Sequence, residues 1–146
     1  MIAIAKFLSL PKQEKRFFYE ALPLLIVAKF GVKVIPFRYI YRFLHDRWKD
    51  LPTASLDYAA DIRLVKASLS RAERRLPWNT LCLPRSIAAF IMLRRRGIPT
   101  VMYVGVKYEN CSLLAHAWVQ IGREMVDGKP DSPGFTTLMT IGQPPQ

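Results

Sequence analysis

The apolar pattern of this chain changes period once, at Gly97-Ile98-Pro99. Upstream, apolar residues recur at spacings of three and four; from Thr100 onward they form short runs rich in Val and Tyr. The first spacing puts side chains on one stripe of a helix, and the second suits a pleated strand. Helices gathered in the first part and strands in the last predict an α+β fold in which helices pack on a small antiparallel sheet.

Pro11 is permitted in a first helical turn, where its missing N–H would be unpaired anyway, and it predicts a helix to about Ala28, bent near Pro23 and broken at Gly31. Pro36 opens a second helix with the stripe Phe37, Ile40, Tyr41, Leu44 and Trp48, and His45 falls beside it as a surface residue. Leu51-Pro52-Thr53 reads as a connector, and Ser55 is placed to cap a third helix striped by Tyr58, Ile62, Val65, Leu69, Ala72 and Leu76. Pro77 must stop that helix, because the residue before a proline is pushed out of helical geometry. Pro77-Trp78-Asn79-Thr80 then supplies the break and a candidate new cap.

A fourth helix is expected from Leu81 to Arg96, with Pro84 in its first turn and Gly97 placed to end it. Cys82, Ser86, Ala89 and Leu93 share one face, and Leu83, Ile87, Phe90 and Ile91 share the next. Such a helix is central, with only Arg85 and the terminal arginines left to face water. Strands are expected over Thr100 to Lys107, Leu113 to Ile121 and Glu124 to Asp127, joined by Glu109-Asn110-Cys111-Ser112 and by a tight turn at Gly122-Arg123. Gly128, Pro130, Pro133 and Gly134 mark a loop, and Pro144-Pro145 a frayed end.

A hydrophobic fraction of 51% over 146 residues suits one core, hence a single domain over 1–146, helical over 1–77 and carrying the Cys helix and sheet over 78–146. Lys and Arg number 22 against 11 acidic residues, a formal charge of +11 that attracts anionic partners. The densest runs, Arg74-Arg75 and Arg94-Arg95-Arg96, fall at helix ends, where cations complement the helix dipole. No nucleic-acid motif accompanies the charge, so no nucleic-acid partner is expected. The two cysteines, Cys82 and Cys111, form no CxxC pair, which suggests neither a disulfide framework nor a metal site. With no secretory leader legible at Met1 to Leu8, a cytoplasmic location is expected. The apolar stretch from Ala21 to Pro36 is interrupted by Pro23, Lys29, Gly31 and Lys33, short of the about 20 apolar residues a membrane span needs; contact with a membrane surface stays open.

Cys82 opens a helix, where unpaired N–H groups and the positive dipole end favour thiolate, the reactive form of a thiol. His116, in the middle of a strand pattern, is the better placed of two histidines to act as general base, and it shares a face with Trp118 and Gln120. The turn at Gly122-Arg123 returns the chain so that Asp127 could accept a hydrogen bond from the second imidazole nitrogen; Asp131, four residues on, is the alternative acid. The backbone N–H of Cys82 is a candidate oxyanion donor, and Cys111, in a polar turn, is a bystander.

This order of parts, with Trp78-Asn79-Thr80-Leu81-Cys82-Leu83-Pro84-Arg85-Ser86, Leu114-Ala115-His116-Ala117-Trp118-Val119, Arg94-Arg95-Arg96-Gly97-Ile98-Pro99 and Tyr103-Val104-Gly105-Val106, resembles the transglutaminase-like superfamily and, more narrowly, the lasso peptide biosynthesis B2 proteins. The resemblance implies a transglutaminase-like, papain-like cysteine protease fold and a leader peptidase with Cys82, His116 and Asp127 as its triad and no cofactor. It also implies the partners: a lasso precursor peptide, a separate leader-recognition protein, and an asparagine-synthetase-like cyclase that closes the macrolactam. A competing reading is a non-catalytic basic module for an acidic peptide or nucleic acid, with Cys82 and His116 as core.

Overall fold

The computed structural model describes residues 2–50, 57–128 and 134–142. Its elements run α1 (Ile2–Leu8), α2 (Lys12–Val34), α3 (Phe37–Trp48), α4 (Ala59–Glu73), α5 (Cys82–Arg95), β1 (Thr100–Glu109), β2 (Ser112–Ile121), β3 (Glu124–Asp127) and β4 (Thr136–Ile141). The four strands form one antiparallel sheet in the order β3-β2-β1-β4. The fold is α+β, as expected.

α5 is the hinge between helices and sheet. One side lies on β1 and β2 and the other on α2 and α4, and its residues from Ser86 to Leu93 are buried except Ile91, which is partly covered. Phe17, Phe18, Ala21 and Leu25 of α2, Val65, Leu69 and Ala72 of α4, and Met102 and Val119 of the sheet close over it as one apolar cluster. Directly opposed residues of an antiparallel pair share a face, so Met102 with Val119 and Val104 with Ala117 form the helix side of the sheet. Tyr103 with Trp118, and Gly105 with His116, form the other side.

Several expectations need correction. α2 does not break at Gly31 but runs through it to Val34, with Pro23 inside it; one glycine costs a helix only about 1 kcal/mol, and the Gly31 carbonyl accepts the Ile35 N–H at the helix end. α1 and β4 were not anticipated. The β-branched residues Thr136, Thr137, Thr140 and Ile141 are the local signal for β4, which pairs with β1 and buries Ile141. α4 ends at Glu73, one turn before Pro77, and His45 is half-buried and stacked on Tyr41 with ring centroids 5.5 Å apart. Asp57 accepts a hydrogen bond from the Ala59 N–H at the start of α4; the expected cap Ser55, the connector Leu51-Pro52-Thr53 and the end Pro144-Pro145 lie outside the described residues. Asn110 and Cys111, both with positive φ, form the two-residue turn between β1 and β2, with Glu109 opposite Ser112.

The arginine runs are engaged within the fold. Arg96 lies 3.9 Å over the Phe17 ring and bonds Glu20 at 2.6 Å; Arg94 is buried and donates to the carbonyls of Trp48 and Asp50. Arg75 stacks over Phe7 and Phe18. Among the described residues, no helix is long and apolar enough to cross a membrane.

Candidate active site

Cys82 is the first residue of α5 and is half-exposed. Leu81, in extended geometry, occupies the N-cap position, and no side chain caps the end, so the cap expected from Pro77-Trp78-Asn79-Thr80 is not formed. Pro84 has no N–H to offer, which leaves the amides of Cys82 and Leu83 as the uncapped donors of the first turn. A thiol at this position meets the positive end of the helix.

The next turn of α5 fastens this end to the sheet at two points. Ser86, four residues after Cys82, donates its hydroxyl to the carbonyl of Ala117 at 3.1 Å, beside His116 in the chain. Arg85, three residues after Cys82, donates Nε to both oxygens of Asp127 at 3.1 and 2.9 Å. The same guanidinium donates Nη1 to Glu73 and, at 3.3 Å, Nη2 to the Ser70 hydroxyl, both on α4. Arg85 therefore does not face water: it joins α4, α5 and the end of β3.

His116 lies on the sheet side that carries Tyr103 and Trp118, opposite the face on which α5 packs, so the structure ties Cys82 to the strand of His116 through Ser86 rather than through a contact between the two side chains. Its ring is stacked with Trp118, centroids 6.2 Å apart, and lies 5.6 Å from the Phe135 ring. Its Nε2 is 2.5 Å from the carbonyl oxygen of Gly128. A carbonyl only accepts, so Nε2 carries a hydrogen, and in the neutral ring the lone pair that a base needs is then on Nδ1.

Asp127 does not make the expected bond to the imidazole. It is opposite Val119 in the β2–β3 register, so its side chain falls on the helix side of the sheet, while His116 is on the other. Its carboxylate is buried and bonded to Arg85; the His116 ring is held by the backbone of the following residue. Asp131 lies outside the described residues. Cys111 is exposed at the β1–β2 turn. The residue that sequence reasoning missed is Arg85, and its signal was legible: a cation one turn into an otherwise buried helix needs acceptors within the fold.

The network has a pH signature. Burial raises the Glu73 carboxyl above its ordinary range, with Arg85 opposing the shift and Asp127 adding to it. Burial alone would lower Arg85, but the bond and charge of Asp127, then Glu73, raise it on balance. For an acid raised on folding, the native state holds the proton more tightly, so its contribution is fully present below the ordinary carboxylate pKa and is lost as pH rises through the folded value. Unfolding in urea across mildly acid pH is expected to show that loss in the wild type and to lack it in Glu73→Gln.

The family model described as the transglutaminase-like superfamily matches residues 24–140 of the chain. No curated protein and no solved structure gives a match.

Proposed function

Since the chain belongs to the transglutaminase-like superfamily, which includes cysteine peptidases, we propose that it is a cysteine peptidase with Cys82 as nucleophile and His116 as base, and that it removes the leader from a lasso peptide precursor. The observation that carries the reading is the attachment of the uncapped, Cys-bearing end of α5 to the strand of a histidine held as the Nε2–H tautomer. In this mechanism Nδ1 takes the thiol proton and Sγ bonds to the scissile carbonyl carbon. The charge that develops on the carbonyl oxygen is met by the N–H groups of Cys82 and Leu83. The imidazolium returns the proton to the departing amine, and water then cleaves the thioester by the same route in reverse order.

The motifs around Cys82 and His116 support the lasso reading, and with it a separate leader-recognition protein and an asparagine-synthetase-like cyclase as partners. The basic-module alternative draws less support, because Arg75, Arg94 and Arg96 are engaged internally. Mass spectrometry of a lasso precursor incubated with this protein and its leader-recognition protein tests the proposal. Release of intact leader with a free core amine is the expected result. A precursor left whole, or one that gains mass by amine incorporation, overturns peptide hydrolysis as the reaction.

A further inference from the structure

We propose that Arg85 is the positioning residue of this site: it fixes the Asp127-Gly128 corner, and through the Gly128 carbonyl it sets the tautomer and aim of His116. The inference rests on the peptidase reading above and replaces the direct Asp127–imidazole contact expected of a triad.

The ring's partner is a backbone carbonyl, so whatever fixes that carbonyl fixes the base. Gly128 has φ +74°, and a Cβ there would lie 2.6 Å from the Ala117 carbonyl oxygen and 3.0 Å from the Trp118 Cα. The corner is thus pressed against β2, in a backbone conformation that only glycine adopts at little cost. On its other side Asp127, with its side chain 8% exposed, is held by the Nε of Arg85 through both oxygens. Arg85 cannot follow a shifting corner, because Glu73 and Ser70 hold the far end of its guanidinium. It also belongs to the helix that Cys82 opens. One side chain therefore sets the base relative to the helix of the nucleophile.

The charge balance points the same way. A carboxylate against an imidazole would stabilise imidazolium directly; here both oxygens of Asp127 are bound by a guanidinium on the helix side of the sheet, so its part in the site is to hold position. Arg85 and Asp127 then act as one unit, and removing either removes the same constraint.

The test needs no substrate. In a Cys111→Ser background, the rate of Cys82 alkylation by iodoacetamide is followed by mass spectrometry from acid to alkaline pH. His116→Ala is expected to remove most of the neutral-pH reactivity, since the base that takes the thiol proton is gone. Arg85→Gln and Asp127→Asn are each expected to lower the neutral-pH rate about tenfold, and the double variant no further. Arg85→Lys keeps the charge in its buried place but has one nitrogen where three are used, and is expected about threefold below wild type. Should Arg85→Gln not fold, Arg85→Lys decides the matter: a wild-type profile for it overturns the inference. Losses in Arg85→Gln and Asp127→Asn that add in the double variant also overturn it, in favour of an Asp127 that acts on the imidazole separately. A wild-type profile for His116→Ala is a different failure, that of the peptidase reading itself.

Discussion

Cys82→Ala is expected to lower the rate of precursor cleavage by about 10⁴-fold or more, with His116→Ala close behind, because the members of a nucleophile–base pair act as a unit. Among the described residues, nothing beside Cys82 can replace the thiol. Ser86, on the same face of α5, is buried with its hydroxyl committed to the Ala117 carbonyl. Cys111 is exposed at the hairpin turn between β1 and β2, and Cys111→Ser is expected to cleave at the wild-type rate. Both active-site variants should remain folded, since Cys82 is half-exposed and the first turn of α5 is held by Arg85 and Ser86. Timed mass spectrometry of precursor and leader, beside far-UV circular dichroism, measures rate and fold separately.

The largest expected loss of stability is at Phe90. Its side chain is fully buried at the centre of α5, meets the Trp48 ring edge-on with centroids 5.9 Å apart, and has the Arg94 guanidinium over its own ring. Phe90 thus ties α5 to the end of α3. Phe90→Ala removes that area from the core and leaves a cavity that a close-packed interior fills only in part, an expected cost of about 3–5 kcal/mol. For a domain of this size that lowers the thermal midpoint by roughly 10 °C, which differential scanning fluorimetry resolves. A shift under a third of this would mean that Phe90 does not fill the space between α5 and Trp48 as described.

The legible part of the fold was the part written in periodic burial. The stripe of Val65, Leu69 and Ala72, the all-round burial of the Cys82 helix, and the alternation that puts His116 beside Trp118 follow from spacing alone, and each agrees with the structure. What escaped was decided by tertiary neighbours. Gly31 is a poor helix residue, yet one glycine costs a helix only about 1 kcal/mol, so propensity was overridden. β4 is short and half-exposed, and its strand character comes from pairing with β1.

The site divides in the same way. Cys82 at a helix start and His116 on a strand were visible, because helix position and strand period are local properties. The destination of Asp127 was not. It depends on which face β3 presents in its register with β2, and a shift between Val119 and Gln120 intervenes before Asp127 meets Val119. A single-residue slip in a sheet exchanges the two faces, so the same sequence motif allows a carboxylate against the imidazole or, as found, one against Arg85.

The role of Cys82 as nucleophile is tested most directly by the intact mass and peptide map of the protein after rapid acid quenching during precursor turnover. A thioester of the leader, located on the peptide that contains Cys82 and missing from Cys82→Ala, is the expected result. Cleavage by Cys82→Ala at the wild-type rate, or a leader adduct on any other residue, would contradict it.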